Sequence, residues 1–101
     1  EVDSGIGGAT AAAVGQRLRQ LGERMQVLVV THSPQVASLG AAHWRVIKSE
    51  SGSGDDLHSV TRVDQLSPGD RREEIARMLS GARITDKARA AADSLLAGEF
   101  L

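Results

Sequence analysis

Gln26-Val27-Leu28-Val29-Val30-Thr31 is a continuous, largely β-branched apolar run, and it follows directly on a stretch with helical periodicity. A strand that alternates apolar and polar residues can leave one face in water, but an unbroken run asks for cover on both faces. Parallel sheets meet that demand, because the crossover helices joining their strands lie over both sides. The run therefore predicts a buried parallel strand in an α/β fold. It stops at His32-Ser33-Pro34, where Ser33 can cap and Pro34 can open a short helix over residues 35–39.

The rest of the chain supplies the flanking pieces. A glycine-rich loop over residues 3–8 precedes a helix whose apolar stripe is Ala11, Val14, Leu18, Leu21 and Met25. Gly22 should fray that helix. Residues 42–49 and 57–66 read as two strands, joined by the polar, glycine-rich tip at 50–56. Ser67-Pro68 repeats the capping signal and opens a helix through Ile75, Met78 and Leu79, which Gly81 should end. A last helix begins near Thr85 and carries Ala88, Ala91, Ala92, Leu95 and Leu96 on one stripe. Loop, helix, buried strand, short helix, hairpin and two helices make an α/β unit.

Composition narrows the classes of function. In 101 residues the net charge is −1, so the chain by itself has no electrostatic reason to grip nucleic acid. It has no cysteine, hence no disulfide and no thiolate metal site, and no apolar run of the roughly 20 residues a membrane span requires. One Trp, one Phe and no Tyr leave the core to Val, Leu, Ile and Ala. Such a core suits a piece packed against more protein. With Glu1-Val2-Asp3 at its start in place of an initiating methionine, the chain reads as one with an artificial N-terminal boundary.

Two places could carry chemistry. The loop Glu1-Val2-Asp3-Ser4-Gly5-Ile6-Gly7-Gly8 puts carboxylates beside a tight turn, and His32 stands at the carboxyl end of the buried strand, where ligands of parallel sheets collect. An imidazole there can donate to a phosphate oxygen in either protonation state. On the residues alone the loop also fits the Asp-x-Gly-x-Gly cradle of nucleotide-fold methyltransferases, or a plain turn in an interaction module. The methyltransferase reading needs an acid at the end of the next strand, which ends Thr31-His32-Ser33 instead. His32 is equally readable as a capping or surface histidine. His43 and His58 read as solvated or strand-face residues, Asp55-Asp56 as a loop tip, and Arg71-Arg72 with Glu73-Glu74 as a solvated helix face.

Taken together, three segments resemble the RecN family of ATP-binding cassette, SMC-type ATPases. They are Glu1 to Gly8, the stretch Val27-Leu28-Val29-Val30-Thr31-His32 followed by Pro34-Gln35-Val36-Ala37, and Glu73-Glu74-Ile75-Ala76-Arg77-Met78-Leu79 with Gly81. Thr61-Arg62-Val63 also matches. Ser33 departs from the family's pattern, and the resemblance is weakest from Ser49 to His58. It implies that residues 1–101 form the C-terminal portion of a P-loop NTPase head: the Walker B end, the loop that crosses to a second head, the switch-histidine loop and the C-terminal helices. It further implies Glu1 as the carboxylate that orients the attacking water, Asp3, Ser4 and Gly5 as the cross-dimer loop, and His32 as the γ-phosphate sensor. A carboxylate suits the first role because phosphoryl transfer asks the protein mainly to position water and spread charge. ATP and Mg²⁺ are the implied cofactors, a homodimer of ATP-engaged heads and DNA the implied partners, and the bacterial cytoplasm near the nucleoid the implied location. The implied role is in recombinational repair of double-strand breaks. The chain holds no Gly-x-x-x-x-Gly-Lys-Ser/Thr cradle and no Ser-Gly-Gly signature. Alone, it should not hydrolyse ATP.

Overall fold

The computed structural model describes Gly5 and residues 7–99. In chain order it contains helix α1 (Gly8–Gly22), a stretch over residues 26–31 without regular structure, the one-turn helix α2 (Pro34–Ala37), strand β1 (Trp44–Ser51) and strand β2 (His58–Gln65). Helices α3 (Pro68–Ser80) and α4 (Asp86–Leu96) follow. Among the described residues the only sheet is the antiparallel pair β1–β2, so the unit is a small α/β assembly of helices and one hairpin.

The helix signals act where the sequence places them. Ser33, Ser67 and Thr85 each accept a main-chain N–H three residues on, from Val36, Asp70 and Ala88, which satisfies a donor the first helical turn leaves orphaned. Pro34 and Pro68 sit in first turns, and Gly81 ends α3 at a φ of 81° that an L side chain rarely adopts. α1 stops at Gly22.

Two expectations fail. The stretch 26–31 forms no strand and pairs with none among the described residues. Val27 and Val29 are half-buried, while Leu28 is 89% and Val30 67% exposed. An apolar run buries both faces only when neighbouring strands and covering helices are present, and among the described residues they are not. The apolar stripe of α1 is also displaced. The helix buries Ala11, Ala12 and Gly15, leaves Val14 and Leu18 half-buried, and exposes Leu21; Met25, expected on the same stripe, lies beyond its end and is exposed. Its cover is α2, which approaches so closely that a Cβ at Gly15 would stand 2.7 Å from Leu39 Cδ1 and 3.3 Å from Val36 Cα.

The principal core lies between α3 and α4. Ile75, Ala76, Ala88, Ala92 and Leu95 are buried there, with Ala37, Met78, Ile84 and Leu96 packed around them. The hairpin is different. Its register sets Trp44 opposite Gln65 and Val46 opposite Val63, so these four share one face, on which Trp44, Val46 and Val63 are all more than half exposed. The other face turns Arg45 toward Glu74 of α3.

The dimensions agree with this uneven burial. The Cα radius of gyration is 15.3 Å, where about 13 Å is usual for 100 residues. The accessible surface is 7150 Å², against roughly 5,500 Å² for a compact monomer of this mass. Bare apolar side chains on residues 21–30 and on the hairpin account for part of the excess.

Candidate functional site

Packing of α1 on α2 brings two sequence motifs together. The end of the glycine-rich loop is Gly7, which precedes α1 and accepts the Ala11 N–H at 2.8 Å. The adjacent Gly8 lies so close to α2 that a Cβ there would stand 3.3 Å from Gln35 Nε2. On the same side chain, Gln35 Oε1 accepts a hydrogen bond from the Ser33 hydroxyl at 3.0 Å. The Ser33 N–H in turn donates to Thr31 Oγ1 at 2.9 Å, and the Ser33 hydroxyl accepts the Val36 N–H at 3.3 Å. Residues 31–36 thus form a turn closed by its own side chains, with exposed His32 in it and the glycine loop abutting its Gln35 flank.

Glu1, Asp3 and Ser4 lie outside the described residues. Gly5 is exposed, with a φ of 79° that suits a tight loop. Among the described residues no three His, Asp or Glu side chains converge where they could hold a metal ion. No helix among them is long and apolar enough to cross a membrane.

The charged run 71–74 is not a solvated face, contrary to expectation. Arg71 is half-buried, and its Nη2 donates to the carbonyls of Ala37 (3.0 Å), Ser38 (3.2 Å) and Gly40 (2.6 Å) at the rear of α2. Arg72 pairs with Asp93 at 2.6 and 3.0 Å, and Arg89 donates to Glu73 at 3.0 Å, so these two ion pairs strap α3 to α4. Glu74 is buried, accepting from Arg77 within α3 and from Arg45 Nη1 of β1 at 3.4 Å. Burial alone would raise the Glu74 pKa, but the hydrogen bonds and charges of Arg77 and Arg45 overcome it and hold the carboxyl below its ordinary value. Periodicity predicts the helix and its charges. It does not say that targets about thirty residues away in the chain will draw two of those charges inward.

His43 sits behind α2 in the same neighbourhood. Its Nδ1 is buried without a hydrogen-bond partner. Burial first, then the Arg71 guanidinium and Arg45, hold its imidazole below the ordinary histidine value against the pull of Glu74. His58, by contrast, is exposed on β2, with Nδ1 2.8 Å from the Asp56 carbonyl. A cleft of about 250 Å³ opens between the hairpin base and α3, lined by Arg45, Asp64, Asp70, Glu73, Glu74 and Arg77 among others. Neither His32 nor the glycine loop lines it, and its buried carboxylate is already paired.

Known proteins resemble this chain at the level of sequence. No family model matches it. Over 96 residues it is 52% identical to a protein of Xylella fastidiosa named DNA repair protein RecN, a span of 95% of this chain and 16% of that protein. Proteins of the same name from Deinococcus radiodurans and Haemophilus influenzae are each 46% identical, over 98 and 96 residues. The chain spans about a sixth of the length of these relatives.

Proposed function

Because this chain belongs to the RecN family over the segment it spans, we propose that it forms the water-orienting and phosphate-sensing edge of an SMC-type ATPase head. That head would serve recombinational repair of DNA double-strand breaks in the bacterial cytoplasm, at the nucleoid. The observation that carries this reading is the meeting of the glycine loop with the His32 turn across the α1–α2 contact. A water-orienting carboxylate and a phosphate sensor serving one reaction would have to share one edge of the fold, and the approach of Gly8 to Gln35 supports that arrangement.

In this reading Glu1 orients the attacking water and takes its proton, while His32 donates to an oxygen of the γ-phosphate as negative charge spreads over it. Asp3, Ser4 and Gly5 cross to the second head of a homodimer. ATP, which supplies the anhydride bond to be broken, and Mg²⁺ would be held mainly by residues outside this chain, which has no Walker A cradle. DNA would be engaged through the rest of the full-length protein, consistent with the near-neutral charge of this segment.

The test uses the full-length protein containing this chain. Glu1→Gln keeps a hydrogen bond to water but cannot accept a proton, so it should bind ATP and turn over slowly. His32→Ala should lower hydrolysis by ~10² to 10³, the range for losing one preorganised transition-state donor. Steady-state hydrolysis unchanged in both variants would remove this reading.

A further inference from the structure

We propose that Arg71 is a positioning residue for His32, acting through α2; the inference rests on the reading of His32 as phosphate sensor. α2 is a single turn, Pro34–Ala37, too short to hold its own conformation in water. It is fixed at three points. Ser33 caps its front, Val36 and Leu39 press against α1 at Gly15, and Arg71 takes its rear. Ala37 and Ser38 lie at the C-terminal end of α2 and Gly40 just beyond it; carbonyls there run short of helical donors, though Ala37 also accepts the Gly40 N–H at 3.4 Å, and a cation complements the negative end of the helix dipole.

What Arg71 is attached to matters as much. It stands in the first turn of α3, where its own N–H bonds the Ser67 carbonyl at 2.8 Å and Ser67 caps the helix. One turn further on, Ile75 and Ala76 are fully buried against α4. The guanidinium therefore joins the principal core to the shortest α-helix among the described residues. His32 lies two residues ahead of that helix, at the end opposite the guanidinium. The contacts of Arg71 run to the α2 end and not to His32 itself. Its Nε is buried with no partner of its own, while Nη2 alone donates to three carbonyls at the α2 end. A shift of about an ångström in a positioned group can cost two orders of magnitude in rate, so a slackened α2 should be felt in turnover.

In the full-length protein, Arg71→Met keeps the apolar stem and removes the donors. It should lower kcat for ATP hydrolysis about tenfold or more and leave KM for ATP within about twofold. Arg71→Lys should recover part of the loss, since a single nitrogen makes all three bonds and an ammonium can take its place. The deciding measurement is the double variant. If Arg71 acts through His32, His32→Ala with Arg71→Met should be no slower than His32→Ala alone. Hydrogen exchange should rise over residues 33–40 in Arg71→Met and stay unchanged over 75–95. Losses that multiply in the double variant, or exchange that rises across α3 and α4 as well, would overturn the positioning role while leaving the reading of His32 intact. Wild-type hydrolysis in His32→Ala would instead remove that reading, and this inference with it.

Discussion

Helices α3 and α4 bury Ile75, Ala76, Ala88, Ala92 and Leu95 between them, whereas strands β1 and β2 leave every residue at least partly exposed. Both regions are regular in their main-chain hydrogen bonding, so the difference lies in what their side chains meet. The helix pair closes on small residues: alanines let the two axes approach, and Arg72–Asp93 and Arg89–Glu73 strap the rim. The hairpin has apolar residues of the right kind, Trp44, Val46 and Val63, but they are more than half exposed with nothing among the described residues to bury them. A two-stranded hairpin is marginal in water at best, so this one leans on the Arg45–Glu74 contact at its base. One region makes its own core, and the other carries half of one.

The largest test of that contrast is Ile75→Ala. Ile75 is fully buried, and removing its side chain should cost about 2–5 kcal/mol through lost burial and a residual cavity. Hydrogen exchange in the full-length protein should show protection collapsing over both helices. Retained protection would mean that the pair is held mainly by contacts with the rest of the protein.

Glu74→Ala comes next, because Glu74 joins the two regions. Its partners Arg45 and Arg77 are 43% and 52% exposed and can rehydrate, so screening limits the loss to about 1–2 kcal/mol. The pH dependence has a definite sign. A carboxyl whose folded pKa is depressed stabilises fully above its unfolded pKa, near 4.5, and loses that contribution as pH falls through the folded value. Wild-type stability should therefore drop below about pH 4.5 more steeply than that of Glu74→Ala. Parallel acid profiles would remove the ion pair from the account.

Much of this fold was legible before any coordinates. Two serine caps with their first-turn prolines, a helix start near Thr85, the glycine that ends α3 and a hairpin all follow from local chemistry, although the strands read at 42–49 and 57–66 stand at 44–51 and 58–65. What local chemistry could not supply is the company each element keeps. The 26–31 run has the pattern of a doubly buried strand, but burial needs neighbours that the described residues do not contain. Val14 and Leu18 have the larger apolar side chains in α1, yet Ala11, Ala12 and Gly15 are buried because α2 approaches the small-residue face. Arg71 and Glu74 looked like solvent-facing charges because their targets, the 37–40 carbonyls and Arg45, are distant in sequence. For the candidate site, the capping serine beside His32 was legible, but the strand expected to end at His32 is not formed among the described residues. The structure adds the glycine loop at its flank and Arg71 behind it.

The helix caps give a smaller test within the firm region. Ser67→Ala and Thr85→Ala should each cost about 1 kcal/mol, because each frees a main-chain N–H that the wild-type hydroxyl oxygen accepts. Exchange should rise first over residues 68–71 and 86–89. A uniform rise over both helices would mean that the caps hold the pair together rather than trimming its ends.

The smallest expected effect is the sharpest probe of the hairpin. Val46 is 61% exposed and lies beside Trp44 and Val63 on the outer face. Val46→Thr keeps the β-branched shape that a strand favours and exchanges one methyl for a hydroxyl. If water covers that face in the full-length protein, the hydroxyl is solvated and the change should stay within about 0.5 kcal/mol, as surface substitutions usually do. If another part of the protein covers it, the hydroxyl must be buried without an assured partner, at about 1–3 kcal/mol. The same substitution at Val63, its cross-strand partner, should then behave alike, since the two share one face and one environment. Two near-neutral results would keep the contrast between a self-sufficient helix pair and a bare hairpin. Two costly ones would end it, because the hairpin's half of a core would then have found its other half.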